Sequence, residues 1–158
     1  MANTQAMCTS FMGELLTATH NFGTAPTRGA STADTFKAAL YLTSATINAS
    51  TTAYSATGEV SGTGYTAGGV TVTNATAPTA TNSSSTAGVA YWTPSASITY
   101  TTVTLTTAFD TVLIYNSTQS NKAVSVHTFG SQTITAGTFT LTMPSNTTTT
   151  ALLRLATT

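Results

Sequence analysis

Apolar residues recur along the chain with two different periods. Between residues 9 and 19, Phe11, Met12, Leu15 and Leu16 fall at i, i+1, i+4 and i+5 and so share one side of a helix. Thr9 or Ser10 stands where an N-cap is wanted, and Gly23 with Pro26 supplies a stop. This spacing predicts one short N-terminal helix. Residues 21–34 follow, rich in Gly, Ala, Thr and Pro, and read as a loop or arm with a weak core signal. Residues 1–35 are therefore expected to form an N-terminal helix and arm, ahead of a β domain spanning 36–158.

From Phe36 onward the period shortens to 2 or disappears into continuous apolar runs. Residues 36–42 read as a first strand, followed by a polar connection through Asn48 to Tyr54. The run from Glu59 to Gly69 holds too many glycines for either regular element and is placed in turns. Val70 to Val72 starts another strand, and residues 79–87, all Thr, Ser, Asn or Ala, read as a flexible insertion. Val89 to Trp92 is short and apolar. Ile98, Tyr100, Val103 and Leu105 alternate except for a phase slip at Thr101-Thr102, where a bulge is expected. Within residues 109–115, Val112-Leu113-Ile114-Tyr115 has the pattern of a strand buried on both faces. Residues 116–121 are a polar turn and 123–129 the returning strand, which makes a hairpin. Phe139, Leu141 and Met143 alternate with Thr, and Ala151, Leu153 and Leu155 give a last strand. The fold class read from this pattern is all-β: a single antiparallel β-sandwich of about eight strands with one short N-terminal helix.

Charge changes the picture most. Of 158 residues only 5% are charged, four basic against four acidic, where globular domains carry about 25%. The formal net charge is zero and the sequence pI is about 6.7. Such a chain lacks the Lys and Arg that phosphates or an anionic membrane surface require, so neither nucleic acid nor membrane is an expected partner. It is not a disordered composition either, since 41% of residues are hydrophobic and the mean hydropathy is +0.14. Thr makes up about a quarter of the chain. Its branched Cβ favours extended backbone, and its hydroxyl keeps an exposed strand face wet without charge. The single Cys8 has no internal disulfide partner. The N-terminus has no signal-peptide pattern and no stretch reaches the 18 or so apolar residues that span a bilayer, so synthesis in a cytosol is expected.

Few residues can carry chemistry. A Ser/His/Asp arrangement would need Asp110 and His127, on adjacent predicted strands, to converge with a hydroxyl, yet no Gly-x-Ser-x-Gly elbow presents one. His20, at the end of the predicted helix, suits a structural capping role. Cys8 and His20 are isolated and no Asp-x-Asp pattern exists, so no metal is expected, and Gly62-Thr63-Gly64 lacks the Lys of a phosphate loop. No catalytic residue and no cofactor is assigned. Among the aromatic residues, Tyr54 and Tyr65 lie in predicted loops and are the candidate contacts for a protein interface or a glycan. A chain without net charge has little electrostatic defence against association, so much of its surface is expected to be covered by copies of itself or by a larger assembly.

Several segments carry a family resemblance. They are Phe36-Lys37 with Ala39-Leu40-Tyr41, Thr51-Thr52-Ala53-Tyr54, the Gly-rich run from Gly58 to Gly69, Leu113-Ile114-Tyr115-Asn116-Ser117, and Asn121-Lys122-Ala123-Val124. In this order they resemble a family of small tailed-bacteriophage virion proteins, mostly without a defined role. The resemblance runs from the N-terminal helix to Leu153-Arg154-Leu155, departs at residues 73–86, and carries no catalytic residue. It implies a virion component made in the host bacterial cytoplasm, most directly a capsid decoration or cement protein. Its implied partners are its own copies and major capsid, neck or tail proteins. The alternative is a neck, tail or fibre part, including a receptor- or glycan-binding tail module.

Overall fold

The computed structural model describes residues 3–16, 19–22, 33–73, 78–81 and 88–156. Its elements are β1 (Ala6–Met7), α1 (Thr9–Leu16), β2 (Phe36–Leu42), β3 (Val70–Thr71), β4 (Thr79–Ala80), β5 (Val89–Trp92), β6 (Ile98–Asn116), β7 (Lys122–Leu141) and β8 (Leu153–Ala156). Among the described residues the fold is all-β apart from α1. Two antiparallel sheets are present, one ordered β1-β7-β6-β2-β3 and the other β4-β5-β8.

The apolar run Val112-Leu113-Ile114-Tyr115 sits where its pattern demands, in the middle of the larger sheet and buried along its whole length. β6 pairs there with β2 on one side, from Phe36↔Asn116 to Leu42↔Phe109, and with β7 on the other. The hairpin between β6 and β7 closes through Ser120 and Asn121, both at positive φ (53° and 58°). The Asn116 side chain accepts bonds from the Thr118 and Gln119 amides and so shapes the turn.

Two pairs of expected strands are fused. Residues 98–105 and 109–115 belong to the single β6, and residues 123–129 join the strand around Phe139 to make β7. The intervening residues are mostly Thr, Ser, Gly and Gln, with Ala108, Ile134 and Ala136 among them; they bury little but tolerate extended backbone, and bulges absorb the loss of phase. The slip at Thr101-Thr102 is such a bulge: the register shifts between Tyr100 and Val103, and Thr102 has φ 54°. β7 has its own irregularity at Ala136, with φ 45°.

The Gly-rich segment does more than turn. It lies along β2 and β6 through the bridges Tyr41↔Glu59 and Thr63↔Thr104. Gly62 and Gly69 permit this approach, because a Cβ on either would collide with the carbonyl of Thr104 or of Ala38, and Gly69 also has φ 71°.

At the N-terminus α1 is shorter than the expected 9–19, and the Thr19 amide closes it on the Glu14 carbonyl (2.8 Å). Ser10 does not cap it: its hydroxyl is buried with no hydrogen-bond partner among the described residues. The expected stop at Gly23 and Pro26 lies outside the described residues. So does most of the predicted arm, but its ends are fixed: Asp34 N donates to Asn21 O (3.1 Å) and Asn21 N to the Asp34 carboxylate (2.9 Å). Cys8, Phe11 and Phe22 are core residues. Phe22 stacks on Phe36 of β2 (4.4 Å) and meets Trp92 of β5 edge-on (4.9 Å), an aromatic column that links the two sheets. Thr79 and Ala80, read as part of a flexible insertion, instead pair with Tyr91 and Ala90; residues 82–87 lie outside the described residues.

Candidate functional site

Two polar clusters inside the molecule gather most of its reactive groups. The first is centred on Glu59, held by its bridge to β2. Its Oε1 accepts from the Tyr65 hydroxyl (2.7 Å) and from the Gly68 amide (2.8 Å), and its Oε2 accepts from the Tyr54 hydroxyl (2.7 Å). The Tyr65 hydroxyl also accepts from the Leu40 amide (3.0 Å). Tyr54 and Tyr65 are thus brought together on one carboxylate. Both are half-buried, Tyr54 stacked on Tyr115 (4.7 Å) and Tyr65 on Tyr100 (5.9 Å). Two further tyrosines peg the connection between β2 and β3 to the sheet, Tyr41 donating to Ser55 O and Tyr115 to Gly68 O, while Tyr100 of β6 donates to Ala38 O of β2. Burial pushes all five phenols up and the Glu59 charge adds to it; Tyr54 rises to about 12.

The second cluster joins the N-terminal segment to the β6–β7 turn. Glu14 of α1 meets His20 Nε2 (2.7 Å) and accepts from Lys122 Nζ (2.7 Å). The Asn116 amide lies 3.1 Å from His20 Nδ1 and donates to Asp34 Oδ2 (2.7 Å), while Gln119 donates to Asp34 Oδ1 (3.2 Å). These contacts fix the tautomer. The Asn116 NH2 can only donate, so His20 Nδ1 accepts and Nε2 carries the proton given to Glu14. Burial pushes the imidazole down despite the adjacent carboxylate, consistent with a neutral ring whose Nδ1 must keep a lone pair. Burial alone would raise Glu14, but bonds from Lys122 and His20 outweigh it and hold the carboxyl below its usual value. His20 is therefore structural, as expected, but it binds a carboxylate and an amide across the fold where helix carbonyls were expected.

Asp110 and His127 make separate contacts. Asp110 Oδ1 accepts from Asn3 Nδ2 (2.8 Å) and Thr111 Oγ1 (2.7 Å), whereas His127 Nε2 meets Ser125 Oγ (2.9 Å). The Ser125–His127 pair has no carboxylate behind it, and burial pushes the imidazole down to about 4, which makes it a poor base at neutral pH. Cys8 is fully buried, and burial, then the Glu14 charge, raise its thiol to about 11. Among the described residues no group of three or more His, Cys, Asp or Glu is arranged to hold a metal ion, and no helix is long and apolar enough to cross a membrane. An apolar cavity of about 110 Å³ lies between α1 and the smaller sheet, with Phe11, Phe22, Trp92 and Leu153 in its walls.

Sequence reasoning missed Glu59 as the organiser of the tyrosines and Asn116 as the hub of the second cluster. The adjacency of Tyr54, Glu59 and Tyr65 in a glycine-rich loop was a usable signal for the first. Nothing local marked the second, whose members come from four separate segments. No family model, curated protein or solved structure matches this chain.

Proposed function

We propose that this protein is a non-enzymatic structural component of a tailed-phage particle, most directly a capsid decoration or cement protein. It acts through protein–protein contacts with its own copies and with other phage structural proteins, with its two sheets forming one antiparallel sandwich that includes the short N-terminal helix. The resemblance of its sequence to small virion proteins suggests the setting. The observation that carries the reading is the fate of the carboxylates: Glu14, Asp34, Glu59 and Asp110 all accept bonds from within the chain. Acid–base chemistry needs a carboxylate aimed at a substrate, and these four are directed at the protein's own donors. Among the described residues the exposed positions are mostly Thr, Ser, Ala and Gly, which suits packing into a neutral assembly.

A tail, neck or fibre position, with glycan or receptor contact, is the second reading. Tyr54 and Tyr65 favour it, because both keep partial exposure and their hydroxyls converge on one carboxylate. Imaging of intact virions carrying a label on this protein tests the choice. Decoration predicts label distributed over the head, and label confined to the tail tip overturns it in favour of the second reading.

A further inference from the structure

We propose that the outer edge of β7, centred on Gly137 to Leu141, pairs with the same edge of a second copy across a two-fold axis. This rests on the reading of the chain as an assembly component and names the surface that would do the assembling. On its inner side β7 pairs with β6 along its length, but on its outer side β1 covers only Ser125 and Val126, and the Cys8 amide reaches Val124 O. Beyond that, through Leu141, no described strand pairs with it. A row of open backbone donors and acceptors is satisfied best by another extended backbone.

Edges of this length are usually blunted by charge, by proline or by bulges. From Thr128 to Leu141 there is no charged residue and no proline. Bulges do interrupt the strand before Gly137, but from Gly137 to Leu141 it runs in register with Val103, Tyr100, Thr99 and Ile98 of β6, the slip there falling on β6. Phe139 anchors this stretch, its ring 5.2 Å from Phe109 and 5.1 Å from Phe129, while Thr138 and Thr140 are exposed.

The partner follows from matching. The other described sheet edges, β1, β3, β4 and β8, offer two to four residues, and β8 carries Arg154. Only the same edge in a second copy has the length, and a neutral strand meets its own copy without repulsion. An axis near Phe139 sets Thr138 of one copy opposite Thr140 of the other and merges the two larger sheets into one.

Sedimentation velocity over a concentration series, with amide hydrogen exchange, tests this on the full chain. The expected result is a dimer whose formation protects amides of residues 137–141. The double variant Thr138→Lys with Thr140→Lys sets lysines opposite each other and weakens the dimer about tenfold or more. An unchanged circular dichroism melt for that variant establishes that it still folds. Thr140→Glu with Thr138→Lys restores opposite charges and recovers the dimer. A chain that stays monomeric at every concentration, or a dimer that both variants leave intact, overturns the proposal. Neither result touches the virion reading, which fails separately if labelled particles contain none of the protein.

Discussion

Glu59 and Glu14 are both half-buried carboxylates that gather donors, but the two sets are of opposite kinds. Around Glu59 the donors are two phenols and a backbone amide, none of which titrates below pH 10. Around Glu14 they are an imidazole and an ammonium, with Asp34 one residue further on through Asn116. The first cluster fastens the Gly-rich loop to β2 through donors that stay protonated up to about pH 10. The second fastens the N-terminal segment to the β6–β7 turn and depends on which protons are present. Two anchors of similar geometry thus differ in what can undo them.

Glu59→Leu should show the largest effect. It leaves two phenols and the Gly68 amide without their acceptor, and a loss of about 4 kcal/mol is expected from the urea midpoint at constant slope. A loss below about 1 kcal/mol would mean that water replaces the carboxylate and the loop is not held by it. Asn116→Ala comes next, at about 2 kcal/mol, because it removes the donor to Asp34 and the two bonds that shape the turn. It also releases His20 Nδ1 to take a proton, so the variant should lose less stability than the parent between pH 6.5 and 5. Equal acid sensitivity in both proteins would show that Asn116 does not hold the ring neutral.

The last effect is read by pH alone, and part of it comes from His127, outside both clusters. His20 and His127 are depressed in the fold, so below about 6.5 the unfolded chain takes up protons that the folded one does not. Stability falls as the pH drops. His127, at about 4 and partly exposed, accounts for about 2 kcal/mol of this. Glu14 acts in the same direction, since the stability of its lowered carboxyl is lost as pH falls below its unfolded value of 4.5. The tyrosines behave oppositely: raised phenols contribute fully below pH 10 and lose their contribution as pH rises toward 12. Denaturant midpoints across pH 4 to 12 should therefore form a plateau between about 7 and 10, and a midpoint that keeps rising toward pH 4 would contradict the assignment.

How much of this was legible depended on the range over which each signal acts. The buried run Val112 to Tyr115, the turn after it and the bulge at Thr101-Thr102 are properties of a few consecutive residues, and periodicity exposes them. The fusion of segments into β6 and β7 was hidden because the residues between them are polar but extended, and hydropathy cannot tell a wet strand from a loop. β1 and β4 are two residues each and exist only through their partners. The Glu14 cluster spans 108 residues between Glu14 and Lys122, so no window contains it. For Tyr54 and Tyr65 the sequence could place the rings in a loop but not reveal that their hydroxyls face inward onto Glu59.

The buried Cys8 gives the protein a reporter of its own. It is the single thiol in the chain, it lies in the N-terminal segment, and its amide is bonded to β7. With the thiol held near 11, very little thiolate exists at pH 8, and the core shields what there is. An alkylating reagent would therefore modify the native chain only at the moments when the segment lifts away. The rate of that labelling, read against pH and protein concentration, would time the detachment of the N-terminal segment, with no probe added to the molecule.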